Sequence, residues 1–117
     1  MITLATLDQA TAQEVFTQVK DHLLKQGERS ILPTDDDNCA YRGADGKQCA
    51  AGCLMTDKEA STITEGKTWD SLVQMDKVTH FHNVLISDLQ RIHDQYSDVD
   101  YWPELLQKLA YRYNLKY

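Results

Sequence analysis

The chain reads as an α+β domain, mainly helical, in which about four helices pack around a short two-stranded β-hairpin. Three observations predict this. Apolar residues recur at steps of three and four over most of the length, the signature of amphipathic helices. One stretch, Cys39 to Met55, breaks that rhythm and carries an Asp-Gly turn signal. The length of 117 residues, 42% hydrophobic and 26% charged, suits a single globular domain over 1–117, whose core needs neither disulfides nor a metal.

Thr6-Leu-Asp-Gln9 has the form of a capping box, the threonine serving the amide three residues on and Gln9 reaching back. Ala12, Val15, Phe16, Val19 and Leu23 follow at helical spacing, and Gly27 supplies the left-handed residue that ends such a helix. His22 flanks this stripe as a boundary histidine. Residues 28–38 connect, with Ile31-Leu-Pro33 as a hydrophobic anchor before the solvated run Thr34-Asp-Asp-Asp-Asn38. That run lacks the alternation, central glycine and terminal glutamate of a calcium loop.

The central stretch is read as the hairpin: Cys39–Arg42 extended, a turn at Gly43-Ala-Asp-Gly46, and Lys47–Ala50 returning. A lone ribbon is marginal in water, so one face must pack on helices. Ala50, Ala51 and Gly52 mark the place of close approach. Thr56-Asp-Lys-Glu59 repeats the capping-box pattern, and the β-branched run after it limits that helix to a turn or two, ending near Gly66. Trp69, Leu72 and Val73 form one face of another brief helix, with Trp69 in the core. The clearest periodicity runs from Thr79 to Tyr96, where Val78, Phe81, Leu85, Leu89, Ile92 and Tyr96 share a face, and it predicts the longest helix. Ser97–Asp100 breaks it. Pro103 then occupies a first helical position, Leu105, Leu106, Leu109, Ala110 and Tyr113 face inward, and Asn114 is the stop.

The formal charge of -6 and the lack of a basic stripe exclude nucleic acid as a direct partner, because phosphate binding needs clustered lysine and arginine. Residues 30–66 carry seven acidic side chains against three basic ones, so the hairpin region would steer a basic patch on another protein, besides keeping a small domain in solution. The start Met-Ile-Thr-Leu-Ala-Thr has no basic n-region, and no apolar run reaches the length of a membrane span. The expectation is a soluble, cytoplasmic protein with no membrane partner. Three cysteines, an odd number, fit a reducing compartment better than a disulfide framework.

The pattern Cys39-x-Tyr41-Arg42-Gly43-x-x-Gly46-x-x-Cys49-Ala50-x-Gly52-x-Leu54-Met55-x-Asp57-x-Glu59, then Glu65-Gly66, Leu89-Gln90-x-x-His93-Asp94 and the final Tyr113-Asn-Leu115, resembles a family of small proteins encoded by bacteria, phages and prophages. The resemblance spans roughly residues 9 to 115. It implies the fold class and a bacterial or phage setting, with the host cytoplasm as compartment, and brings no established activity. The chain departs from that pattern after Glu59, where Ala60-Ser61 stands in place of an acidic residue and a tyrosine, so no role for that aromatic carries over.

Three constellations are candidates for function. Cys39, Cys49 and Cys53 with His93 offer a zinc set, although the C-x9-C-x3-C spacing has only one close pair, and His80, His82 and His93 do not converge on an ideal helix. Cys49 or Cys53 with His93 as base, oriented by Asp94 or another acid, offers a thiol nucleophile, Cys53 standing just before a helix N-terminus. Tyr41, Arg42, Asp45 and Lys47 on the exposed side of the hairpin, beside Asp35, Asp36 and Asp37, offer a protein-contact surface, arginine and aromatics being the side chains that most often dominate binding. Six aromatics among the last 22 residues leave room for an exposed patch there too. The leading expectation is a small acidic binding protein without enzymatic activity or cofactor, acting on a bacterial host protein by direct contact as an inhibitor or modulator. The alternative is the cysteine and histidine site, holding structural zinc or acting as a thiol enzyme.

Overall fold

The computed structural model describes residues 1–32, 35–95 and 98–117, and of residues 35–38 the backbone only. The side chains of Asp35, Asp36 and Asp37, and the whole of Tyr96, therefore lie outside the described residues. The architecture is mainly helical: α1 (Ala12–Gln26), α2 (Asp57–Ala60), α3 (Trp69–Gln74), α4 (Asn83–Gln95) and α5 (Trp102–Arg112). A minimal antiparallel contact joins β1 (Ile31–Leu32) to β2 (Asp35–Cys39).

The first helix opens later than Thr6. Thr6 heads only a 3-10 turn over Leu7–Gln9, and its hydroxyl accepts from the amide of Thr3 at 3.0 Å. The reciprocal capping box belongs to Thr11 and Glu14, each side chain taking the other's amide. At the far end Gly27 takes φ +66° and donates its amide to Leu23, as its position in the sequence predicts. Val15, Phe16, Val19 and Leu23 are buried and meet α4 and α5, whose Leu85, Leu89, Leu106 and Leu109 complete the core. Each such side chain contributes about 1.5–3 kcal/mol by leaving water.

Trp69 is buried at the start of α3, which Thr68 caps, and the Thr56–Glu59 box opens α2. Glu59 does more than close its box: the same carboxylate accepts from the amides of Leu4 and Ala5, tying the N-terminal segment to α2. The α4 helix is shorter than the periodicity predicts, 13 residues against 15 for α1. His82 sits at φ +61°, a conformation that costs a non-glycine residue about 1 kcal/mol or more, and its Nε2 donates to the carbonyl of Ala10 at 2.7 Å. The helix therefore begins after His82, and Phe81 falls outside the core and is exposed. Leu106, Leu109 and Ala110 of α5 are buried, and Asn114 adopts the left-handed φ of +57° just beyond its end.

The hairpin expected at Cys39–Ala50 is not formed. Its turn exists, with Asp45 and Gly46 at positive φ and the Gly43 amide bonded to Lys47 O at 2.9 Å, yet the flanking strands do not pair. Backbone donors that would make the ladder go elsewhere. Tyr41 and Arg42 give theirs to Glu65, Gln48 to Gln26, Ala51 to Gln90, and Ala40 to Ser30 O. Each donor buried or half-buried must find an acceptor, and here distant side chains supply them.

Candidate functional site

Arg42 is the hub of the central loop. Its Nε donates to Asp57 at 2.9 Å, Nη1 to the carbonyls of Tyr41 and Gly52 at 3.0 and 2.7 Å, and Nη2 to that of Met55 at 2.9 Å. Only a planar guanidinium has enough donors in a fixed fork to hold three carbonyls and a carboxylate together. Gly52 must be a glycine for this to close, since an added Cβ would stand 2.4 Å from Tyr41 O. Glu65 clamps the same loop from the other side, accepting from the amides of Tyr41 and Arg42 at 2.8 and 3.1 Å.

Two of the positions expected on an exposed side of the hairpin, Tyr41 and Arg42, are instead largely covered. Tyr41 is 5% exposed, and its hydroxyl donates to Lys67 O at 2.6 Å, with burial holding that hydroxyl well above its ordinary pKa. Arg42 is turned into the loop, three-quarters of its side chain covered. Asp45 remains exposed at the turn, and Lys47 pairs with Glu28 at 2.7 Å.

His93 is fully buried on α4, 5.7 Å from the Trp102 ring. Its Nε2 accepts from the main-chain amide of Ser30 at 2.9 Å, and its Nδ1 lies 2.8 Å from Asp94 Oδ1. An amide can only donate, so the Nε2 lone pair is taken and the ring proton sits on Nδ1, facing the carboxylate. The row Asp94, His93, Ser30 has the residue types of a catalytic triad without its chemistry. Ser30 contributes its amide, while its hydroxyl donates to Ala40 O at 2.7 Å.

The three thiols do not meet on one ion among the described residues. Cys39, His93 and Asp94 each offer a ligand atom, all within 4.8 Å of one another, and neither Cys49 nor Cys53 joins that group. Cys49 takes the amide of Gly52 and Cys53 donates to Ala50 O, contacts within one turn of chain. Arg29 lies against the cluster, its Nη2 donating to Cys39 Sγ at 3.1 Å and to Asp94 O at 3.0 Å. Burial, reinforced by the Asp94 charge, pushes the Cys39 thiol up to about 11 against the opposing pull of Arg29. Burial pushes Cys53 up to about 12, and Cys49 well above its ordinary value. All three are thiols, not thiolates, at neutral pH, and His93 has no free lone pair to activate any of them.

Beside the cluster a pocket of about 170 Å³ opens between Cys39, Tyr41, Cys49, Thr68, Gln90 and Asp94. A wider depression of about 1020 Å³ follows the outer flank of α1, with His22 and Cys53 among its walls. His22 donates Nε2–H to Gln48 O at 2.9 Å there, a boundary histidine as its position in the sequence predicts.

Two exposed features stand apart from these clusters, the first passed over in the sequence and the second foreseen in its aromatic C-terminal end. Met75, Phe81 and Val84 stand in solvent around the α3–α4 connection, with the His80 ring stacked on Phe81 at 4.8 Å. Tyr101 and Tyr111 are exposed on the first and last turns of the α5 region. A break in periodicity at His80-Phe-His82, where two histidines flank the aromatic, was the available signal for the first. No helix of the described residues is long and apolar enough to cross a membrane. No protein family, curated protein or solved structure matches the chain.

Proposed function

We propose that the chain is a small acidic binding protein without catalytic activity, acting on a bacterial host protein by direct contact as an inhibitor or modulator. The observation that carries this reading is the state of its reactive groups. The three thiols are buried or half-buried, with burial pushing each upward, both His93 nitrogens are bonded, and Arg42 is consumed by the loop it holds. The surface facing solvent includes apolar side chains and carries an excess of negative charge. Exposed Phe81, Val84 and Met75 supply contact area, and the net charge of -6 favours a basic partner. The phage or prophage setting, in the host cytoplasm, comes from the sequence resemblance. The contact surface moves from Tyr41 and Arg42 to the α3–α4 connection.

The test is retention of a host protein by the immobilised chain, with identification by mass spectrometry and reconstitution from purified components. Val84→Asp and Phe81→Asp should abolish a stoichiometric complex that Arg91→Ala leaves intact. Equal retention by all variants, or no reconstituted complex, would sink the reading.

The convergence of Cys39, His93 and Asp94 within 4.8 Å supports a second reading, a structural zinc site. Zinc analysis of protein purified without added metal discriminates the two, stoichiometric zinc favouring the second.

A further inference from the structure

The pocket of about 170 Å³ between the Cys39–Tyr41 segment, the Gly66–Thr68 loop and α4 is polar and open to solvent on one side. Asp94 is its acidic side chain, 37% exposed. Oδ1 of Asp94 takes hydrogen bonds from His93 Nδ1 and Gln90 Nε2 at 2.8 and 2.7 Å, so the carboxylate is held in one orientation before anything binds. Gln90 is itself fixed, because its Oε1 accepts the amide of Ala51 at 2.9 Å. Among the described residues no lysine or arginine forms an ion pair with Asp94. Arg29 spends Nη2 on Cys39 Sγ and on the Asp94 main chain, and Lys67 at the rim is exposed.

A fixed carboxylate without a cationic partner, walled by neutral thiols and a buried tyrosine, makes a pocket of negative potential. Three of its walls register that potential: after burial itself, the Asp94 charge adds to the upward shift of Cys39, Cys49 and Tyr41 alike. We propose that this pocket binds an organic ammonium group, from a free primary amine or from a lysine side chain of a partner protein, with the Asp94 carboxylate as its counter-ion. An ammonium group brings both charge and hydrogen-bond donors to Asp94, the one carboxylate that lines the pocket. A divalent metal fits less well, because the Nε2 lone pair of His93 is engaged by the Ser30 amide and its Nδ1 carries the ring proton. The site does not depend on the apolar surface near Phe81, so either can fail without the other.

The experiment is a titration of ¹⁵N-labelled protein with n-butylamine and, separately, with N-acetyl-lysine methylamide at constant pH and ionic strength. The amides of Tyr41, Gly66 and Thr68 should shift and saturate. Asp94→Asn keeps Oδ1 as acceptor for His93 and Gln90 while removing the charge, so it should weaken binding about tenfold or more. Unchanged Ser30 and Ala51 amide signals report that its fold is intact. Lys67→Ala should bind as tightly as the wild type or tighter. Saturation by both probes assigns the pocket to a lysine side chain, and saturation by butylamine alone to a free amine. Absence of saturation in the wild type, equal binding by Asp94→Asn, weaker binding by Lys67→Ala, or saturation by zinc in place of either amine would overturn the proposal.

Discussion

The main-chain amide of Ser30 points at Nε2 of His93, 2.9 Å away, and this one bond decides what the cluster on α4 can do. It converts the best candidate for a base or a ligand into an acceptor for the backbone of the segment leading into β1. Chemistry suggested by residue type is thus cancelled by the direction of a hydrogen bond.

The first prediction follows from that bond. Protein exposed to equimolar zinc and then desalted should retain none, as measured by elemental analysis, and its melting temperature should not rise. Retention of one ion per chain would mean that the Ser30 bond gives way to a metal.

Thiol chemistry supplies the second. At pH 7 the native protein should react with a disulfide reagent far more slowly than the same protein in denaturant, and all three thiols should titrate once it unfolds. The folded-state values of Cys39 and Cys53 lie above the ordinary 9.0, at about 11 and about 12, so the folded chain holds its protons longer. Their contribution to stability is therefore complete below about pH 9 and declines as pH rises toward those values. Urea midpoints measured from pH 8 to pH 11 should fall. A flat or rising profile would contradict the burial of these sulfurs.

Arg42→Lys should behave almost as badly as Arg42→Ala. One ammonium cannot reach the carbonyls of Tyr41, Gly52 and Met55 together, and orphaned carbonyls cost about 1–3 kcal/mol each, so a loss of about 2–4 kcal/mol is expected for either. Urea denaturation measures it. Full stability of the lysine variant would show that charge alone, not the fork, holds the loop.

Glu65→Gln should cost about 1 kcal/mol and Glu65→Ala more, because the alanine strands two amides. Hydrogen exchange at Tyr41 and Arg42 reports this directly. Both amides should lose protection in Glu65→Ala, while the α1 amides keep theirs.

Gly52→Ala tests close approach. With Tyr41 O standing 2.4 Å from the added methyl, backbone must move, at about 1–3 kcal/mol. Gly66→Ala has open space around it and is strained only by its φ of +84°, so the comparison separates crowding from conformational cost.

Local rules in the sequence determined the helices, their caps and most of the core. Gly27, the Thr56–Glu59 box and Asn114 act within one turn of chain, and the three- and four-residue spacing of Leu85, Leu89, Leu106 and Leu109 follows from helix geometry alone. Tertiary structure decided the central loop. Its Asp-Gly turn formed as local chemistry dictates, but whether Cys39–Arg42 and Lys47–Ala50 paired depended on competing acceptors brought from elsewhere in the chain, Glu65, Gln26 and Gln90. The same holds for function. A list of cysteines, a histidine and an arginine is readable in the residues, whereas the partner that occupies each lone pair and donor is fixed only by long-range packing, and that partner determines whether the group is reactive or structural.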